Sequence, residues 1–265
     1  MFSRTEMLIG KEALCKLKSS KVAVFGIGGV GTFAVEALIR SGLGSIVLVD
    51  DDVVSRSNLN RQLHATQDTI GKPKVEVMRD RILSINPDVN VTTYQMFYTK
   101  ETGHLLLKPD YDYVIDAMDT VSAKIDLVVR CKEMGIPIIS SMGAGNKMDP
   151  ARFRIADIYS TSVDPLAKVM RRELRKRNID SLKVVYSTEP PLPPMEAEGD
   201  SAGDESITGL TRGPKKRRSV PGSISFVPSV AGLTIGGEVI RDLIGWKDNY
   251  QGSGDDKLEG IRRNY

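Results

Sequence analysis

Two short motifs contain the groups of this sequence that could bind and activate a nucleotide. The first is GIGGVG at residues 26–31, and the second is NLNRQ at residues 58–62. A glycine-rich turn that opens a helix binds phosphate through free backbone N–H groups. The arginine of the second motif adds a cation that a dinucleotide enzyme does not need. Together the motifs predict a site for ATP and a carboxylate, whereas the glycine motif alone equally fits a plain NAD-binding or nucleotide-sensing module.

Charged residues follow the glycine motif in the order that a nucleotide site requires. Asp50 ends the apolar run SIVLVD, about 20 residues past the glycines, where a carboxylate usually binds a ribose. Attack on an α-phosphate needs cations beside the developing charge, and Arg61 and Lys74 are the best candidates. Arg56 and Lys72 are better interpreted as solvated charges.

A pair of carboxylates marks the end of a third apolar run, YVIDAMDT at residues 113–120. Ligands of open parallel sheets bind beside the carboxyl ends of the strands. A carboxylate among phosphates there is a candidate ligand for Mg²⁺, which usually takes one or two carboxylates plus phosphate oxygens. Asp116 could equally cap a turn at the strand end, so Asp119 is the stronger choice.

Alternating strands and helices must position these residues. Apolar runs of strand length precede helical patterns at residues 30–42, 74–86 and 121–134. This order predicts an α/β, Rossmann-like, mainly parallel sheet with helices on both faces. Residues 227–245 predict an amphipathic C-terminal helix that packs either on the core or on a dimer partner. No stretch of 18 apolar residues predicts a membrane-spanning helix.

The chain is predicted to be a single adenylation domain over residues 1–265. Residues 1–150 form its nucleotide-binding core, and residues 151–265 form a basic helical lobe that faces the substrate. Between about 190 and 222 the sequence is rich in Pro, Gly, acids and then bases. Such a composition buries little apolar surface, so a mobile loop is predicted there.

Basic residues concentrate in two places although the formal net charge is only +3. One is a predicted helix at residues 164–180, and the other is RGPKKRR at residues 212–218. Such concentrations can follow an RNA backbone, although basic helix faces are often only solvated. The candidate RNA contacts are Lys168, Arg171, Arg172, Arg175, Lys176, Arg177, Lys215, Lys216, Arg217 and Arg218.

Several motifs, in this order, resemble those of a known family. GIGGVG, VDDDVVSRSNLNRQ, GKPK and DAMD resemble the adenylation domain of the ubiquitin-activating-enzyme superfamily, of the ThiF/MoeB type. NRQLHA, INPDV, IPIISSMGAGNKMDP, DPLAK, VVYSTE and SFVPSVAGL are similar, more narrowly, to the bacterial tRNA threonylcarbamoyladenosine dehydratases, the TcdA or CsdL group. The likeness covers nearly the whole chain except about 190–222.

The resemblance implies an ATP-dependent enzyme of tRNA modification. The side-chain carboxylate of threonylcarbamoyladenosine at position 37 of a tRNA is adenylated, and the neighbouring carbamoyl nitrogen then closes a ring with loss of AMP. It also implies Mg²⁺, a cytoplasmic homodimer and, as a further candidate, a sulfurtransferase-type partner. The alternative is an adenylating activator of a ubiquitin-like sulfur-carrier protein, which uses the same nucleotide residues.

Residue roles are also carried over from the resemblance. Arg61, Lys74, Asp119 and Arg4 are the expected catalytic residues, with Asp119 as the metal ligand and Arg4 donated across a dimer interface. Ser3 to Glu6 also fits a capping box, which would make Arg4 a first-turn residue only. The expected nucleotide contacts are Gly26, Gly28, Gly29, Gly31, Asp50, Asp52, Asn58, Arg61, Lys74 and Asp119.

The sequence departs from the wider family at several points. Thr120 stands where the superfamily commonly has Asn, and Val184 and Val185 stand where some dehydratases have a cysteine. Cys15 and Cys131 are the two cysteines of the chain, so the two CxxC pairs of zinc-binding relatives are absent. Both cysteines are predicted to be buried apolar residues, and their scarcity indicates a reducing compartment.

Overall fold

The computed structural model describes residues 1–193 and 221–246. Within these ranges, helices and strands alternate as the sequence predicts. The elements are α1 Ser3–Ile9, α2 Lys11–Ser19, β1 Lys21–Phe25, α3 Gly31–Ser41, β2 Ser45–Val49, α4 Lys74–Ile85, β3 Asn90–Tyr94, α5 Gly103–Leu106, β4 Tyr113–Asp116, α6 Val121–Met134, β5 Ile138–Ser141, β6 Phe153–Asp157, α7 Pro165–Arg175, β7 Lys183–Ser187 and α8 Phe226–Ile244.

The strands form one sheet in the order β3-β2-β1-β4-β5-β7-β6. All neighbours in it run parallel except β6, which is antiparallel to β7. The chain builds outward from β1 in one direction and from β4 in the other, so the strand order switches between β1 and β4. A crevice at such a switch point is where ligands of doubly wound sheets bind.

Both faces of the sheet are covered, which confirms the predicted layer arrangement. One apolar cluster joins the sheet to α3, α4 and α8, and a second joins the other face to α5, α6 and α7. The central strands are apolar at nearly every position because parallel strands are buried on both faces. No helix in the described part of the chain has the length and hydropathy that a membrane span requires.

Helix α8 packs on the core of its own chain, which decides between the two predicted positions. Its buried residues recur along one stripe from Val227 to Leu243. Gly232 and Gly236 let it lie close against α3, because an added Cβ would come within 2.2 Å of the Val30 carbonyl oxygen and 2.6 Å of Ala37 Cβ, respectively.

The described residues after 150 continue the sheet, and the division into a nucleotide-binding core and a substrate-facing lobe stays a prediction. Strands β6 and β7 form one edge of the sheet, and α7 packs on its second apolar cluster. Helix α7 begins at an Asp-Pro pair, where the Asp164 carboxylate accepts the Ala167 N–H at 2.8 Å, as expected of an N-cap. The helix ends at Arg175, so Lys176 and Arg177 follow it. Lys215–Arg218 and most of the predicted loop lie outside the described residues.

A buried ion pair joins β4 to α6. Lys124 Nζ lies 3.0 Å from Asp116 Oδ2, and both side chains are fully buried. Asp116 also accepts hydrogen bonds from the Ser140 hydroxyl and, at 3.2 Å, from the Met118 N–H. Lys124 donates to the Met118 carbonyl at 3.1 Å. Asp116 is therefore a structural strand-end residue, and the pair holds the loop that leads to Asp119.

We expect Lys124→Met to lower the free energy of unfolding by about 3–5 kcal/mol, because it leaves a buried carboxylate without its counter-charge. Urea unfolding monitored by circular dichroism measures the loss. Lys21→Met is the control, since it breaks the exposed pair with Asp110 and should cost less than about 1 kcal/mol. Equal losses for the two variants would contradict the structural role of the buried pair.

Candidate active site

The glycine motif forms a tight turn between β1 and α3. Gly26 has φ +93°, and a Cβ there would lie 2.6 Å from the Ala117 carbonyl oxygen. A Cβ on Gly31 would lie 1.8 Å from the Gly26 carbonyl oxygen. Both positions therefore require glycine, and the turn brings the start of α3 against the end of β4. Free backbone N–H groups at this helix start provide the partial positive charge that favours a phosphate.

A cleft of about 250 Å³ opens at the carboxyl ends of β1, β2 and β4. It contains several of the residues that the sequence singled out: Gly26, Gly28, Gly29, Asp50, Arg61 and Asp119. Gly31, Asp52, Asn58 and Lys74 do not line it but support residues that do. The rest of its wall is Val30, Val49, Asp51, Gln62, Met96, Phe97, Tyr98, Ala117, Met118, Thr120 and Ala123.

Asp50 connects the glycine turn to the acidic segment after β2. Its carboxylate accepts the Ile27 N–H at 2.6 Å and the Asp52 N–H at 2.9 Å. Burial raises the pKa of Asp50, and the charge of Lys74 partly opposes this rise. Burial also raises the pKa of Asp51, and the negative charges of Asp52 and Asp119 raise it further. This edge of the cleft thus concentrates negative charge.

Lys74 is held by this acidic edge and does not face the open cleft. It begins α4 and is only 5% exposed. Its Nζ lies 2.6 Å from Asp52 Oδ2 and 3.9 Å from Asp50 Oδ1. In this arrangement Lys74 neutralises part of the acidic charge at this edge of the cleft, and its contact with phosphate stays a prediction.

Arg61 presents a cation to the cleft without an ion-pair partner among the described residues. Its guanidinium donates to the Ser57 carbonyl at 3.0 Å and to Asn60 Oδ1 at 2.9 Å. The turn that carries it is shaped by Asn58, whose side chain accepts the Ser55 N–H at 3.0 Å and whose carbonyl accepts the Arg61 N–H at 3.1 Å. Burial lowers the pKa of Arg61, but a guanidinium stays charged in proteins.

Asp119 lies across the cleft on the loop after β4. The Thr120 hydroxyl donates to its carboxylate at 3.3 Å. In the two described ranges no cation pairs with Asp119. Behind it, the Lys124–Asp116 pair fixes the Met118 backbone. Among the described residues, the cleft wall thus presents one cation, Arg61, and two carboxylates, Asp51 and Asp119, that have no ion-pair partner.

Sequence reasoning missed two buried polar residues beside the cleft. His64 is 3% exposed, and neither ring nitrogen has a hydrogen-bond partner within the described residues. Gln62 lines the cleft and its Oε1 is likewise buried without a described partner. Burial, followed by the charge of Lys74, lowers the pKa of His64 to about 4. The imidazole is therefore neutral at pH 7. The run NRQLHA has no helical or strand-like apolar period, so the sequence pattern did not indicate that Gln62 and His64 are buried.

Arg4 does not line the cleft of its own chain. It lies on α1, which has no buried residue. The predicted capping box is wrong, because Phe2 is the N-cap residue and Ser3 is already helical. The Glu6 N–H donates to the Phe2 carbonyl at 2.9 Å, so the backbone satisfies this donor without a side-chain cap.

The basic residues of α7 and the turn after it are largely engaged within the chain. Arg172, Lys176 and Arg177 each lie within 3.2 Å of a Glu173 carboxylate oxygen. These contacts lower the pKa of Glu173 to about 2. Arg171 donates to the Thr161 carbonyl and hydroxyl, and the Arg175 guanidinium lies 5.1 Å from the centre of the Tyr159 ring. Lys168 is exposed.

The two cysteines differ in environment. Cys131 is fully buried on α6, as predicted, and burial followed by the charge of Asp116 raises the pKa of its thiol to about 12. Cys15 is exposed on α2, so its predicted burial is wrong. Helix α2 buries only Leu14 and Leu17, and Cys15 falls outside that stripe. Neither cysteine lines the cleft.

We expect His64 to destabilise the fold as pH falls. Its pKa near 4 in the folded state lies below the usual value of about 6.5, so the unfolded chain binds the proton first and stability is lost below about pH 6.5. Between pH 7 and pH 5 the wild type should lose about 2 kcal/mol more than His64→Leu. Urea unfolding at the two pH values measures this, and parallel losses would contradict it.

Comparisons with known proteins agree with this geometry. The sequence model of the ThiF family matches residues 2–254. The tRNA threonylcarbamoyladenosine dehydratase of Bacillus subtilis is 50% identical over 244 residues, which cover 92% of this chain and 94% of that protein.

Two crystal structures of Escherichia coli tRNA N6-threonylcarbamoyladenosine dehydratase, TcdA, are similar along almost their whole length. The complex with AMP has a TM-score of 0.79 at 32% identity and covers 92% of this chain and 94% of that one. The complex with ATP has a TM-score of 0.78 at 32% identity and covers 95% and 96%. The resemblance drawn from the motifs is confirmed: the chain belongs to the ThiF family, in the group of the tRNA threonylcarbamoyladenosine dehydratases.

Proposed function

We propose that this protein uses ATP to convert threonylcarbamoyladenosine at position 37 of tRNA into its cyclic hydantoin form. The observation that carries the proposal is the presence, in one cleft, of a glycine turn at a helix start, an arginine and two carboxylates, none of which has an ion-pair partner among the described residues. The similar B. subtilis and E. coli proteins carry the dehydratase name, and the E. coli protein has been crystallised with ATP and with AMP.

The proposed nucleotide contacts follow from the geometry of the cleft. The N–H groups of the turn at residues 26–31 face the phosphates, and the buried Asp50 carboxylate retains acceptor capacity for ribose hydroxyls. Asp52 and Asn58 act indirectly, since one holds Lys74 and the other shapes the turn that carries Arg61. Arg61 stabilises negative charge on the α-phosphate, and Lys74 contributes its charge from behind the acidic edge.

Magnesium is the proposed metal, with Asp119 as its protein ligand. A carboxylate oxygen suits a hard divalent cation. Asp119 has no cation partner among the described side chains, and its charge contributes to the raised pKa of Asp51. When bound there, Mg²⁺ would neutralise charge on the ATP phosphates. The Asp116 and Lys124 pair keeps the Asp119 loop in place for this role.

The proposed chemistry makes a poor acyl donor into a good one. The substrate carboxylate attacks the α-phosphate and pyrophosphate leaves. The carbamoyl nitrogen, already part of the substrate, then attacks the activated carbonyl, loses its proton, and AMP leaves. Because the second step is intramolecular, orientation supplies much of its rate. No protein thiol is needed, which agrees with the absence of a cysteine from the described cleft wall.

The proposed partners follow from the same reaction. tRNA is the proposed substrate, and the cytoplasm is the proposed compartment. The cations of residues 168–177 and of residues 215–218 are proposed to meet its backbone. A homodimer is proposed because Arg4 does not line its own cleft and would act only on a partner's ATP. A sulfurtransferase-type partner has no step in this chemistry and stays a candidate for association only.

The proposed function is tested by incubating the purified protein with ATP, Mg²⁺ and tRNA that carries threonylcarbamoyladenosine. Mass spectrometry of the digested nucleosides should show loss of one water that depends on ATP, together with release of AMP. Unmodified tRNA is the control and should release no AMP. No mass change, with pyrophosphate exchange appearing only when a ubiquitin-like carrier protein is added, would overturn the proposal in favour of carrier activation.

We expect Arg61→Ala to lower the single-turnover rate of adenylation by about 10²- to 10³-fold, the usual effect of removing one donor that stabilises transition-state charge. Rapid-quench assays with saturating ATP and tRNA measure it. Arg56→Ala is the matched control, because Arg56 is an exposed arginine of the same segment that does not line the cleft. A rate of Arg61→Ala equal to that of the control would remove Arg61 from the site.

A further inference from the structure

A second, larger cavity adjoins the nucleotide cleft. This groove of about 1060 Å³ lies between residues 97–101, helix α6 and the end of α7. It shares Phe97, Tyr98 and Ala123 with the cleft. The two cavities therefore meet at these three residues. A ligand whose reactive group enters the cleft can place its bulk in the groove.

Phe97 stands at this junction and is 49% exposed. A single exposed apolar residue is ordinary on a protein surface, so its exposure alone indicates nothing. Its position is different, because it lines both cavities and no described aromatic ring packs against it. The aromatic contact on this segment belongs to Tyr98, whose ring meets Phe25 edge-on at 5.4 Å.

The backbone that carries Phe97 is held on its C-terminal side. The Thr102 hydroxyl donates to the Phe97 carbonyl at 2.9 Å. Tyr98 is buried, and its hydroxyl donates to Asp126 on α6 at 3.0 Å. Arg130 binds the same carboxylate at 2.7 Å and the Lys100 carbonyl at 2.7 Å. An exposed ring on a fixed backbone loses little conformational freedom when it binds a flat partner.

The charges that line the groove balance. Its lining contains four cations, Lys100, Arg130, Arg172 and Arg177, and four carboxylates, Glu101, Asp126, Glu133 and Glu173. Arg130 is paired with Asp126, and Arg172 and Arg177 are paired with Glu173. The groove therefore does not attract a polyanion by net charge. Its aromatic residues, Phe97 and Tyr98, form the part of the lining that it shares with the cleft.

We propose that Phe97 is the stacking platform for a nucleobase of the tRNA anticodon loop and that the groove accommodates this loop beside the modified adenosine. The inference rests on the proposed function, which requires a carboxylate attached to RNA to reach the α-phosphate while the RNA stays outside the cleft. Single-stranded RNA is recognised mainly by stacking of unpaired bases on aromatic rings. Because cleft and groove meet at Phe97, a carboxylate can enter the cleft while an unpaired base of the same RNA stacks on the ring in the groove.

The adenine of ATP is the competing partner for the ring, because Phe97 also lines the cleft. Two equilibrium measurements distinguish a base of the RNA from the adenine of ATP as the partner of the ring. They are the binding of ATP to the protein alone and the binding of a fluorescent anticodon stem-loop without ATP. Neither measurement depends on turnover, so failure of the dehydratase reaction and failure of this inference are distinguishable.

We expect Phe97→Ala to weaken stem-loop binding by about 5- to 150-fold, the range of one base–aromatic stack, and to change the ATP Kd much less. Phe97→Leu should lose as much, whereas Phe97→Trp should retain binding. Phe226→Ala removes a ring of similar exposure, 40%, outside both cavities and should change neither Kd. The effect of Phe97→Ala should also be independent of salt, whereas Arg177→Ala should reduce the salt slope of binding by about one.

A raised ATP Kd with unchanged stem-loop binding would overturn the inference and assign Phe97 to the adenine. Unchanged binding of both ligands would overturn it as well. Retained stem-loop binding by Phe97→Leu would show that apolar contact, not stacking, is responsible, and this too contradicts the proposed platform. Thermal unfolding of each variant checks that the substitution leaves the fold intact.

Discussion

The close approach of the β1–α3 turn to the end of β4 is the constraint on which the cleft depends. Gly26 and Gly31 leave no room for a side chain between the turn, its own helix and Ala117. Because of this contact, the start of α3 and the loop that carries Asp119 lie at one edge of the sheet. The buried Lys124–Asp116 pair then fixes that loop from below. The walls of the cleft are thus set by packing and buried charge within the protein.

The distribution of paired and unpaired charge distinguishes the cleft from the core. Inside the fold, Lys124 neutralises Asp116, and beside the cleft Lys74 lies near both Asp50 and Asp52. On the cleft wall, in contrast, neither Arg61 nor Asp119 has an ion-pair partner in the described part of the chain. Arg61 is partly buried, so a charge left there without a partner costs free energy, whereas the Asp119 side chain is exposed and solvated. A phosphate is a group that would supply the missing counter-charge to Arg61.

Much of the fold was predictable because strands and helices have distinct apolar periods. Helix α6 agrees with its predicted bounds, and the glycine turn lies where the motif required. Lys124 was not predictable, because one lysine in a helical pattern is usually solvated and only the tertiary position of Asp116 explains its burial. The exposure of Cys15 depends on which stripe of a short helix meets the core. The N-cap of α1 and the burial of His64 depend on contacts that a local pattern does not contain.

Charge and stacking have separate roles in the proposed recognition of tRNA. Contacts between cations and phosphates provide affinity that weakens with salt, and they carry no information about base identity. Glu173 already pairs with three of the cations near the end of α7. A phosphate that binds there therefore gains less electrostatic stabilisation than the number of basic residues suggests. A ring on a fixed backbone instead defines the height and plane of one base. Since ring closure of the substrate depends on orientation, position at the junction of the two cavities matters more for this reaction than total positive charge.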